Sequence, residues 1–250
     1  MKYILSLSLL LSFNIFADDH DSSESEWNVA EYYVSVFKNG KDMEDMMKWA
    51  AKWNDWANET DDFKDYTAAM LVPYYHSGEQ PHDFVWVGLS PNPEAHFRGN
   101  DHWFNNGQKL LTELNKILEP GNQTTYTWQR VVSETPSGQS SYAVYSDCKL
   151  AEGVSTEDYY NTYYAYAKAA KELGDVAGRK MIFPSSGVPS AWDYDFVQLV
   201  TTETIADYGK NWTNFWSDAT AESMPELKAL QELGGSCENE RTYGIVPVRN

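Results

Sequence analysis

Positive charge is scarce in this chain. Against 37 Asp and Glu stand only 19 Lys and Arg, a formal net charge of −18. So acidic a surface repels nucleic acid and anionic lipid, and neither is an expected partner. Cysteine is scarcer still. Cys148 and Cys237 are the only two, which excludes a zinc cysteine pattern and a Cys-x-x-Cys redox pair. Histidine is both scarce and lopsided: His20, His76, His82, His96 and His102 are all five, and none follows residue 102. There is no glycine-rich phosphate loop and no ordered Ser, His, Asp set. After the opening residues no apolar run approaches the length of a membrane span, so no anchor is expected.

What is present begins with an address. Residues 1–17 carry one Lys, an apolar run and then Ala17, the pattern of a secretory signal peptide. The expected location is the periplasm or the secreted medium. Residues 18–26 form an acidic leader with almost nothing to bury, expected to be disordered.

The remainder contains one unit twice. Gly40-Lys-Asp-Met-Glu-Asp matches Gly153-Val-Ser-Thr-Glu-Asp, and Met70-Leu-Val-Pro73 matches Met181-Ile-Phe-Pro184. Asp83-Phe-Val85 matches Asp195-Phe-Val197, and Trp103-Phe104 matches Phe215-Trp216. The offsets are 113, 111, 112 and 112, so four blocks hold register along the chain. Unit one, residues 27–132, reads as a strand at 30–37, a helix at 42–58 capped by Asp42, strands at 67–75 and 83–90, a helix region at 93–118 and a strand at 124–132. After a linker at 133–140, unit two, residues 141–250, repeats the order. Its strand at 142–150 leads to a helix at 155–173 capped by Ser155. Strands at 178–184 and 194–201, a helix at 203–233 and a strand at 241–248 follow. Each unit is thus β-α-β-β-α-β, the ferredoxin-like arrangement. One such sheet covered by helices on one side leaves its other face bare, and two units can cover each other face to face.

This pattern resembles the dimeric α+β barrel superfamily in tandem form. The fold class expected is α+β, two tandem ferredoxin-like units packed as a fused dimeric α+β barrel. The resemblance rests on the element pattern across nearly all of the chain after the leader, with no motif of a characterised family. In a ferredoxin-like sheet of order 4-1-3-2 the first and fourth strands are neighbours. That brings Cys148, near the end of strand one of unit two, to Cys237, just before its strand four, and predicts a disulfide. Unit one has Ser35 in place of Cys148.

The candidate site residues lie in unit one. His82, His96 and His102 face Tyr194, Tyr208 and Asn214 in the aligned second unit, with Asp83 and Asp101 nearby. A site kept in one copy would use His82, Asp83 and either His96 or His102 for acid–base work, for ligand binding or to hold a metal. Aromatic residues make up 15% of the chain, and Trp49, Trp53 and Trp56 form one helical stripe suited to an apolar or aromatic ligand. Fused α+β barrels include haem enzymes resembling the chlorite dismutases, whose axial His comes from the C-terminal unit. Unit two has none, so that role is not filled there and no cofactor is expected; no metal ligand set is assigned either.

Without a convergent catalytic set, the residues predict an exported, non-catalytic ligand-binding or interaction protein. It would take a small apolar or aromatic ligand and form a homo-oligomer. The alternative is a small enzyme resembling the cofactor-free monooxygenases, with its pocket in unit one.

Overall fold

The computed structural model describes residues 27–75, 82–121, 123–218 and 224–250. The address and leader at 1–26, and His20 and His76 with them, lie outside these residues. The strands are β1 (Trp27–Ser35), β2 (Thr67–Pro73), β3 (Phe84–Ser90), β4 (Gln123–Ser133), β5 (Tyr142–Lys149), β6 (Gly178–Ser186), β7 (Phe196–Thr202) and β8 (Ser236–Arg249). The helices are α1 (Met43–Ala57), α2 (Pro93–Asn106), α3 (Gln108–Leu114), α4 (Thr156–Glu172), α5 (Ile205–Asp218) and α6 (Pro225–Leu233), with a short 3-10 turn at Asp61–Phe63.

Local chemistry explains most of these limits. The Asp42 carboxylate accepts from the amides of Glu44 and Asp45 to start α1, and the Ser155 hydroxyl accepts from the Asp158 amide to start α4. Gly40 and Gly153 precede the two helices at φ of +77° and +83°, where a side chain would be strained. The long helix expected at 93–118 is two, because Gly107 interrupts it, and the one expected at 203–233 is also two. β8 begins at Ser236, earlier than the sequence suggests, and so includes Cys237.

The eight strands pair antiparallel throughout and close into one barrel of order β1-β3-β2-β8-β5-β7-β6-β4. Face-to-face stacking of two separate sheets is therefore not what forms. β2 pairs with β8 and β4 with β6, so the two halves join edge to edge. Closure leaves no open strand edge, which is the physical gain over two stacked sheets.

Side chains alternate between two environments. Ala30, Val85, Val87, Ala143, Tyr145 and Leu199 point into the barrel. Their neighbours point outward, Phe84 and Trp86 against α1 in the first half, Met181 and Phe196 against α4 in the second. The repeated blocks take matching places. Asp83 and Asp195 each accept a backbone hydrogen bond, from Phe37 at 2.6 Å and from Leu150 at 2.7 Å. Both therefore serve the turn into their strands. Arg130 on β4 grips Glu157 on α4 through two hydrogen bonds of 2.6 and 3.1 Å and lies over the Tyr160 ring, tying the halves together. Cys148 and Cys237 are directly opposed on β5 and β8 and form a disulfide. Among the described residues no helix is long and apolar enough to cross a membrane.

Candidate functional site

On the outer face of the first half, α1, α2 and α3 do not seal completely onto the sheet. A cavity of about 240 Å³ remains. Its walls are mainly aromatic, with Trp49 and Trp53 from α1, Trp86 from β3, Trp103 from α2, and Phe63 and Tyr66 around the 3-10 turn. The helical stripe read from the sequence thus supplies two walls. The Trp49 indole N–H donates to the Leu110 carbonyl at 2.9 Å, so its one polar atom is satisfied and the ring is held in place.

One carboxylate lies in this aromatic wall. Glu31 on β1 is buried, and its two oxygens have different partners. Oε1 accepts from the Tyr66 hydroxyl at 2.7 Å; Oε2 accepts from the Tyr33 hydroxyl at 2.8 Å and lies 3.5 Å from the Asn100 amide nitrogen. The Trp86 indole N–H donates in turn to the Tyr66 oxygen at 3.2 Å. Burial, and then the charge of Glu31, push the Tyr66 and Tyr33 phenols upward, so both remain protonated donors at neutral pH.

A glycine makes this arrangement possible. Gly88 on β3 stands directly opposite Glu31 on β1. A Cβ there would fall 1.7 Å from the Tyr66 oxygen and 2.3 Å from its Cζ. The missing side chain is the space in which Tyr66 crosses the strand to reach the carboxylate. Arg249 fixes the other end of the same segment through the Tyr66 and Phe63 carbonyls.

The matching place in the second half carries different residues. The pair opposite one another at the matching place is Val144 and Val200, and Ala177 stands where Tyr66 would be. Between α4 and α5 a small pocket of about 20 Å³ is lined by Tyr166, Asn211, Phe215 and Met224. The aromatic cavity with its buried carboxylate belongs to the first half.

The histidines do not gather at the cavity. His96 is nearest: it is buried on α2, its Nε2 faces the Asn100 amide at 2.9 Å, and Glu31 Oε2 is 3.7 Å away. Burial lowers its pKa despite that carboxylate. With Asn100 donating to Nε2, the proton sits on Nδ1, which is buried without a partner in the structure. His102 pairs with Asp62 at 2.9 Å and packs on Trp56 and Phe63. His82 lies at the opposite end of β3, stacked on Tyr243. That strand spans about 20 Å, so His82 and Asp83 stand apart from His96. No group of three or more metal-capable side chains occurs among the described residues.

Glu31 is the residue that the sequence reading missed. In Trp-Asn-Val-Ala-Glu-Tyr-Tyr it looks like the polar face of a half-exposed strand. The usable signal was Gly88, a lone glycine in the apolar run Phe84–Ser90, which marks close approach of another group.

Neither a protein-family model nor a curated protein matches the sequence. Solved structures do. A chlorite dismutase variant from Candidatus Nitrospira defluvii is 11% identical, with a TM-score of 0.51 over 90% of this chain and 94% of that one. A candidate monooxygenase from Lactobacillus acidophilus NCFM is 7% identical, with a TM-score of 0.52 over 89% and 94%. A second candidate chlorite dismutase gives 0.51 at 11% identity, over 89% and 96%. At these identities the shared property is the fold, that of the chlorite dismutase-like and dimeric α+β barrel proteins.

These neighbours overturn the expectation of a non-catalytic binding or interaction protein: the scaffold is shared with proteins described as enzymes. Neither the first-half cavity nor the second half offers haem a histidine ligand. The second half has no histidine at all. The lining of the first-half cavity, among the described residues, includes no histidine.

Proposed function

We propose that the chain is a cofactor-independent monooxygenase, acting in the first-half cavity on a small aromatic or enolisable substrate. The observation that carries this is the Glu31 carboxylate, held by two phenols at the wall of a cavity lined by four tryptophans. The reaction class follows from what such a site can do. An activated methylene flanked by aryl or carbonyl groups can be oxidised by dioxygen with no reductant, the methylene and dioxygen becoming a carbonyl and water.

Glu31 removes one methylene proton as general base. The resulting carbanion is delocalised and lies against the indole faces. It passes one electron to dioxygen, and the radical pair forms the new C–O bond. The proton on Glu31 returns to the peroxide oxygen. Glu31 then takes the remaining C–H proton as the O–O bond breaks and the carbonyl forms. The departing hydroxide recovers that proton as water. Tyr33 and Tyr66 fix the carboxylate in place, and the indoles exclude bulk water from the carbanion.

In this reading each half is a ferredoxin-like unit derived from one ancestor, and only the first kept a hollow. The enzyme works outside the cytoplasm, which the disulfide supports. The test is oxygen uptake with anthrone as probe, a tricyclic ketone with one activated methylene. Glu31→Gln should abolish turnover while binding, followed by tryptophan quenching, changes less than threefold. Turnover by that variant within twofold of the native chain would refute the assignment.

A further inference from the structure

The barrel interior is not filled. A cavity of about 820 Å³ opens at one of its ends. Ala69, Leu71, Val87, Leu89, Leu199 and Ile245 give it a largely aliphatic wall. Against that wall stands one row of polar groups. Lys180 on β6 donates its ammonium to Gln129 Oε1 at 3.2 Å, and Gln129 Nε2 donates to the Tyr32 hydroxyl at 2.8 Å. Tyr145 also hydrogen-bonds Tyr32. Gln129 is fully buried, so its amide is fixed by these two partners and presents its carbonyl to the lysine.

Among the described residues no carboxylate lies within ion-pair distance of this lysine, and its one hydrogen-bond partner is the neutral Gln129. Burial lowers its pKa to about 8, with the charge of Glu134 acting the other way. It is therefore still mostly protonated at neutral pH. The other charged groups facing the opening are accounted for differently. Arg179 is paired with Asp175, Arg249 is spent on the neutral oxygens of Asn54, Asn58, Phe63 and Tyr66, and Asp65 and Glu134 line the mouth. A partly buried ammonium that faces this cavity with one neutral acceptor offers an anion a partner.

We propose that the barrel lumen is a second ligand site, for a small organic carboxylate whose anionic end pairs with Lys180 and whose apolar body lies along Leu71, Val87 and Leu199. The site lies on the inner side of the sheet. Glu31 points outward and its neighbour Tyr32 inward, so the wall of the barrel separates this site from the outer cavity. The two assignments stand or fall independently.

Calorimetric titration of the full chain with 2-naphthoate and with the neutral 2-naphthamide tests this. Naphthoate should bind at least tenfold more tightly than the amide at pH 7, and that preference should shrink at pH 9.5 as Lys180 loses its proton. Lys180→Met should bring naphthoate down to the level of the amide, while Glu31→Gln leaves it unchanged. In the native chain, partial acetylation followed by peptide mass mapping should find Lys180 modified, and protected when naphthoate is present. Equal binding of the two probes, retention of the preference in Lys180→Met, or absence of protection at Lys180 in the native chain would each overturn the proposal.

Discussion

Alanine in place of glycine inside a strand normally helps a protein, by about 0.5–1 kcal/mol, because glycine loses more freedom on folding. At Gly88 the sign should reverse. The added carbon would lie 1.7 Å from the Tyr66 oxygen and 2.3 Å from Cζ, and that hydroxyl is held by two hydrogen bonds, to Glu31 and from Trp86. The ring must leave. Its departure removes a hydrogen bond to a charged group, about 1.5–3 kcal/mol, and one between neutral groups, about 0.5–1.5 kcal/mol. Crowding in the surrounding core adds about 1–3 kcal/mol. The three contributions share atoms and do not add fully, so about 3 kcal/mol is the working figure, equivalent to a melting temperature lower by roughly 6–12 °C in a chain of this size. Urea unfolding followed by tryptophan fluorescence measures it, since Trp53 and Trp86 both lie against Tyr66. Tyr66→Ala should be destabilising by itself, yet Gly88→Ala added to it should cause almost no further loss, because the carbon then has room. A Gly88→Ala chain as stable as the native one, or a double variant in which the two losses simply add, would show that the space is not reserved for Tyr66.

Two further outcomes follow from the same structure. Replacing Cys148 and Cys237 together by Ser opens a loop closed across a sequence separation of 89 and should lower stability by at most about 4–5 kcal/mol, read as a lower urea midpoint. Peptide mapping without reductant that found both thiols free would contradict the pairing. His96, whose pKa burial lowers, contributes stability that is complete above the unfolded value near 6.5 and is lost as pH falls toward its folded pKa, because only the unfolded chain takes up the proton there. The native melting temperature should therefore fall between pH 7 and pH 5 more steeply than that of His96→Gln; parallel profiles would remove His96 from the account.

Much of the architecture was legible because duplication writes the same local chemistry twice. Gly40 with Gly153, Asp42 with Ser155 and Asp83 with Asp195 announce a turn, a cap and a strand entry at matching places, and each depends on near neighbours in sequence. The pairings β2 with β8 and β4 with β6 depend on no neighbour, so edge-to-edge closure left no trace that a periodicity could report. The site divides in the same way. Trp49 and Trp53 were visible as a stripe on one helix. Glu31 was not, because its meaning comes from Gly88 and Tyr66, which meet it only across the sheet. The histidines drew attention by their unequal distribution between the halves, but composition carries no distance, and β3 keeps His82 far from His96.

The order of strands around the barrel also sets a schedule for its assembly. β8 is the latest strand in sequence, yet it lies between β2 and β5. Until it arrives, β2 has one bare edge, and β4 has another until β6 is made. The first half can form its own strand pairs early, but its β4 edge stays bare until β6, Gly178–Ser186, is made, and its β2 edge until β8, which starts only at Ser236. Such edges invite pairing with another chain. Contacts this distant in sequence also form slowly. The chain is thus most exposed to misassembly not when it is unfolded but when it is half made, and a helper that shields the edges of β2 and β4 would act in that interval.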